Sequence, residues 1–203
     1  MIARFMTGFA AVTVLVSTIA LAQQPQNVRV RGEIASVDGP MLTVKARDGS
    51  ELKVRLADNV AVSGIVKTQL SEIKPGSYIG VSAMPQPDGS QRALHIHIFP
   101  EAMRGTAEGH FPWDVRPSST MTNATVEQTV AGVDGQTITV KYKDGEKKIM
   151  VPPEAPIVTY LPGDKTELKP GAKIFIVAAQ KQPDGTLSAA RVNVGRDGLT
   201  PPM

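Results

Sequence analysis

The chain has 203 residues, no cysteine, 4% aromatic residues and a formal charge of +3. That excludes a disulfide framework and thiolate-based metal or catalytic sites, and it supplies neither the basic surplus nor the stacking surface of a nucleic-acid binder. The length suits one domain or two small ones.

Met1-Ile2-Ala3-Arg4 is a short basic start, Phe9 to Leu21 an apolar run, and Ala20-Leu21-Ala22 a small-residue cleavage site. Residues 1–22 read as a secretory signal peptide, too short for a membrane span. The expected location is the periplasm or the secreted compartment, with no membrane span after cleavage. Without Arg4 the balance is 21 basic to 19 acidic residues, so an anionic membrane has no electrostatic claim on the chain either. Residues 23–27 form a polar lead.

An internal repeat follows. Val37-Asp38-Gly39, Leu42-Thr43-Val44-Lys45, Asp48-Gly49, Glu72-Ile73-Lys74-Pro75-Gly76 and Pro87-Asp88-Gly89 are answered by Val133-Asp134-Gly135, Ile138-Thr139-Val140-Lys141, Asp144-Gly145, Glu167-Leu168-Lys169-Pro170-Gly171 and Pro183-Asp184-Gly185. Residues 28–100 and 124–196 therefore read as two copies of one domain. Leu42, Val44 and Ala46 alternate with Thr43, Lys45 and Arg47, and Leu52, Val54 and Leu56 with Lys53 and Arg55. This period of two marks strands with one buried face. The Asp-Gly pairs are hairpin turns. Ile34 and Val37, like Val130 and Val133, are three apart, which suggests a shared bulge.

Gln69 to Ile73 allows one helical turn before Lys74-Pro75-Gly76 stops it. Each copy is thus strand, strand, strand, helical turn, strand, strand, the order of an OB-type barrel or of another small barrel or meander with the same hairpins. The expected fold is all-β: two tandem five-stranded OB-like barrels joined by a packed connector, residues 101–123, with a flexible tail, residues 197–203. The motifs just quoted, with Val30-Arg31-Gly32-Glu33-Ile34 and Leu70-Ser71, resemble a family of exported bacterial domains of unknown function built on small OB-like barrels. The resemblance implies a fold and no catalytic residues. Copy two departs from it at Gln128-Thr129, where copy one has Gly32-Glu33.

The three histidines and the one tryptophan gather at the end of copy one and in the connector, as His95, His97, His110 and Trp113, with Met103 among them. Residues two apart on a strand share a face. His95 and His97 are therefore expected to project outward together, opposite Leu94, Ile96 and Ile98, with Arg191 and Asn193 at the matching places in copy two. Such a pair can hold copper, nickel or zinc, with His110, Glu101 or Asp114 adding ligands and Met103 favouring Cu(I). The alternatives are exposed polar residues, or packing under Trp113. Trp113 is either a ligand platform or a plug anchoring the connector.

Lys45, Arg47, Lys53 and Arg55 form a basic row that suits an anionic sugar polymer or lipid head group, or else a solvated face. Asn123-Ala124-Thr125 matches a glycosylation acceptor. There is no Gly-x-Ser-x-Gly elbow and no phosphate loop opening a helix, and most carboxylates sit in turns. The expected function is a non-catalytic exported binding or interaction protein for a periplasmic protein or small ligand. A divalent metal such as copper is the alternative, and no nucleic acid is expected.

Overall fold

The computed structural model describes residues 27–132 and 135–203. The signal segment and the turn residues Val133 and Asp134 lie outside them. The described chain is nearly all β: β1 Asn27–Asp38, β2 Met41–Ala46, β3 Glu51–Lys67, β4 Tyr78–Pro85, β5 Gln91–Ile98, β6 Gly109–Pro112, β7 Thr120–Gly132, β8 Gly135–Tyr142, β9 Gly145–Val151, β10 Ile157–Pro162, β11 Lys173–Lys181 and β12 Leu187–Gly195. Three single-turn helices, Leu70–Glu72, Glu101–Met103 and Lys165–Glu167, complete it. No helix among the described residues is long and apolar enough to cross a membrane.

The turns are those their chemistry requires. In Gln86 to Ser90, the amide of Gly89 donates to Gln86 O and the amide of Gln86 to Ser90 O. Gly89 has φ 82°, a value that costs a residue without a Cβ nothing, while Asp88 accepts from the amide and hydroxyl of Ser90. Gln182 to Thr186 repeats the pattern in copy two. The bulge expected in strand one falls between Ile34 and Ser36. In copy two the register shifts instead between Val126 and Gln128.

The strands close a five-stranded barrel, but not from one copy. β1 pairs with β2, β2 with β3, β3 in parallel with β12, β12 with β11, and β11 with β1. Counted within their copies, these are strands one, two and three, then five and four: the Greek-key circuit of an OB-type barrel. The first three come from copy one and the last two from copy two. The reciprocal circuit runs β7, β8, β9, β5, β4 and back to β7. Residues 28–100 and 124–196 therefore do not delimit self-contained barrels in tandem; each copy lends its last two strands to the other.

The cores repeat this exchange. Val30, Ile34, Leu42, Val44 and Val54 pack with Leu168, Ile174, Ile176, Leu187, Val192 and Val194. Ile73, Ile79, Val81 and Ile96 pack with Ala124, Val126, Ile138, Val140, Ile149 and Val151.

The device that makes the exchange is the length of β3. Its 17 residues extend about 56 Å at the usual strand rise, running on beyond β2 and staying beside β12 as far as Ile65 opposite Gly195. Its far half pairs antiparallel with β10, Ile65 opposite Tyr160 and Gly64 opposite Leu161. The copy-two equivalent is broken into β9 and β10 at Pro152, Pro153 and Pro156, which cannot donate to a ladder. β10 also pairs in parallel with β5, so the barrels share a continuous sheet.

A third apolar cluster fills the seam between them: Ile65, Tyr78, Phe99, Val158, Tyr160, Phe175 and Met203, flanked by Met103, Trp113 and Leu199. The tail is not loose. Met203 is buried there and its carbonyl accepts from Arg31 Nε at 2.5 Å, while Pro201 O accepts from Arg47 at 3.2 Å.

Candidate functional site

Along β4, Ile79, Val81 and Ala83 enter the barrel core, so Tyr78, Gly80 and Ser82 face outward. Register then places Ser82 beside His95 and Gly80 beside His97 on β5, and Gly80 beside Asn123 on β7. In a free barrel this face would be wet. Here the seam covers it: His95 is 1% exposed and His97 4%. The alternation of Ile96 and Ile98 toward the core holds, but the two histidines do not point to solvent as expected. The strand exchange supplies a second barrel against that face. Asn193, the copy-two counterpart of His97, is buried too, whereas Arg191 is exposed.

His97 packs edge-on to Phe99 and Tyr160, with ring centroids 4.7 and 5.8 Å away, and stacks beside His95 at 5.9 Å. Its imidazole lies over Gly80, where a Cβ would overlap both the ring and the Asn123 carbonyl oxygen. Glycine inside a strand is the mark of such a close approach. Asn123 is fixed by donating to Thr106 O and Ala107 O, both at 3.2 Å, which orients its own oxygen toward the histidine side.

Four neighbouring buried side chains thus carry polar atoms without a hydrogen-bond partner: Ser82 Oγ, His95 Nε2, His97 Nδ1 and Asn123 Oδ1. Trp113 Nε1 in the connector is a fifth. Buried polar groups are nearly always paired, so their clustering on one face is informative.

Electrostatics keep the histidines neutral. Burial pushes His97 down to about 3. His95 is held well below its ordinary value, first by burial and then by His97, Arg31 and Arg47. Burial likewise raises Tyr78, to about 12, and raises Tyr160. The positive side of the seam is barrel one: Arg31 forks onto Asp114 at 2.7 and 3.0 Å, and Arg29 lies 3.9 Å above the Trp113 ring. Trp113 therefore pins the connector to that barrel through a cation–π contact.

The expected metal ligands are dispersed. His110 stands opposite Thr122, on the core-facing side of β7, where its Nδ1 meets Thr122 Oγ1 at 2.8 Å and its ring stacks on Tyr142. His95 and His97 lie on the other face of that sheet. Glu101 is exposed and paired with Arg104 at 2.6 Å, Met103 packs against the apolar seam, and Asp114 is committed to Arg29 and Arg31. Among the described residues no three His, Asp or Glu side chains gather to hold a metal ion.

The basic row is also broken up. Arg47 binds the tail and Lys53 donates to Thr43 Oγ1 at 2.7 Å. Asn123 is buried mid-strand, which removes it as a glycosylation acceptor in the folded chain. An open cleft of about 560 Å³ lies apart from these groups, at the end of barrel one, lined by Glu167, Lys169, Lys173, Arg196 and Asp197 among others.

Ser82, Gly80, Tyr160 and Phe175 were not singled out by sequence, and Asn123 only as a glycosylation acceptor. Gly80 alone carried a signal, as a glycine within the apolar run from Tyr78 to Met84. No family model, curated protein or solved structure matches the chain.

Proposed function

We propose that the protein is an exported, non-catalytic binding protein of the periplasm or secreted compartment, of the OB-like kind its turn motifs resemble. Its binding element is the polar face of the seam. One observation carries this reading: Ser82, His95, His97 and Asn123 are adjacent, buried and unpartnered, and the fold does not need the histidines, because copy two has an exposed Arg191 in the place of His95 and, in the place of His97, Asn193, which donates to Phe175 O at 3.1 Å. A polar set that costs stability without serving the fold is expected to serve a ligand. The enclosure of the set favours a small ligand over a protein partner.

The test is a thermal-shift screen of small polar compounds on the mature protein and on Ser82→Ala and His97→Asn variants. Compounds that raise the melting temperature of the parent and not of the variants support the reading. Compounds that shift all three alike, or that are turned over, contradict it.

A further inference from the structure

The unpartnered atoms define what the seam would accept. Each neutral imidazole offers one donor and one acceptor, the Ser82 hydroxyl offers both, and the Asn123 oxygen only accepts. Their residues occupy consecutive rows of three adjacent strands, Ser82 beside His95 and Gly80 between His97 and Asn123. Neighbouring strands lie about 4.8 Å apart and alternate residues about 7 Å apart, so the set frames a guest of only a few heavy atoms. That guest must both accept and donate hydrogen bonds.

Charge narrows the choice. The barrel-one side of the seam carries Arg29, Arg31 and Arg47 against Asp114, and Arg31 and Arg47 both act on His95. Around the seam stand also Arg104, neutralised by Glu101, Glu108, which acts on Tyr78, and Arg191, which acts on Tyr160 beside His97. A cation is disfavoured in that field, and no carboxylate of the set would coordinate it. With no Cβ on Gly80, the His97 ring and the Asn123 oxygen approach the same point over it.

Resting on the binding reading above, we infer that the seam is a site for a small oxyacid monoanion, one negative oxygen with a retained O–H, of the bicarbonate or dihydrogen-phosphate type. The negative oxygen takes donors from Ser82 and His95 on the side nearer the arginines. The O–H answers an acceptor nitrogen of His97 or the oxygen of Asn123. Entry requires the connector to lift, because the set is closed to solvent and Asp114 and Trp113 hold the connector to barrel one.

The experiment measures melting temperature with bicarbonate, inorganic phosphate or formate at 10 mM against chloride of matched ionic strength, with neutral acetamide as a parallel probe. A rise of about 5 °C is expected for a protic oxyanion present at about a hundred times its dissociation constant. That rise should vanish in both Ser82→Ala and His97→Asn, the second being the residue copy two uses and therefore the safer for folding. A shift that persists in both variants places the anion elsewhere, such as the cleft beside Lys169 and Lys173, and overturns the inference. A seam-dependent shift with acetamide but none with any oxyanion overturns the inference and spares the binding reading. No shift with any probe overturns both.

Discussion

The β4–β5 and β11–β12 pairs hold equivalent places in the repeat and fill the same space differently. In β11–β12 the bulky Phe175 sits beside Asn193, whose side chain is satisfied by the neighbouring carbonyl. In β4–β5 the bulk moves to His97 and its neighbour is reduced to Gly80. The large ring changes strand across the exchange, and the polarity of the face changes with it. One pair ends with its hydrogen bonds made, and the other leaves a row of buried atoms unpartnered. A shared turn framework can therefore carry a packed surface in one barrel and a polar one in the other, with both pressed into a single seam.

The comparison is broken most severely on its packed side. Phe175→Ala should cost about 3–5 kcal/mol, the usual range for a fully buried aromatic, read as a lower denaturant midpoint. A loss under 1 kcal/mol would show that the seam is not a packed layer.

Acid tests the polar side. Unfolded imidazoles titrate near 6.5, whereas folded His95 and His97 stay neutral well below that, His97 to about 3. The unfolded chain then takes up protons that the folded chain refuses. Stability should be complete above about pH 6.5 and fall below it by up to about 1.4 kcal/mol per pH unit for each histidine. His110, shifted the same way by burial and Lys147, adds to the slope. The carboxylates held low by their partners, Asp114 by Arg31 and Glu167 by Arg196, act only in stronger acid. Denaturation curves between pH 7 and 5 should therefore be flattened in a His95→Gln, His97→Asn variant; an unchanged slope would contradict the neutral, buried pair.

A smaller effect probes the volume exchange. Gly80→Ala forces a Cβ into the His97 ring and should cost about 1–3 kcal/mol as overpacking. Combining it with His97→Asn should restore part of that loss, a coupling that a double-mutant cycle reads directly; simple additivity would mean the two positions do not share space. Smallest of all, Asp114→Asn removes a part-exposed ion pair with Arg31 and should cost about 0.2–1 kcal/mol, visible as faster proteolysis of the connector.

Fold class and local order were legible because turns and strands are written locally. Asp-Gly pairs, period-two alternation and the Lys-Pro-Gly stop each act over a few residues, and they give the same signal whichever barrel a strand joins. The exchange was illegible for that reason. Its one trace is the stretch from Val60 to Val66, an apolar-rich run in which β3 continues through Ser63-Gly64 and pairs with both β12 and β10. The histidines were located by their rarity and their shared strand face was read correctly. Their burial was not, because alternation tells which face a residue takes and not what covers it. His110 was misplaced into the same site because a connector strand, β6, sets its face by pairing with β7, a long-range fact.

The strand exchange is the claim on which the seam depends, and cutting the connector tests it directly. A protease recognition sequence inserted between Pro117 and Ser118, both exposed, allows the folded chain to be cleaved in one place. Each half would then hold three strands of one barrel and two of the other. The two fragments should co-elute in gel filtration as a one-to-one complex, melt in a single transition and separate only in denaturant. Two fragments that elute apart, each folded and melting independently, would contradict the exchange and with it the enclosed polar seam.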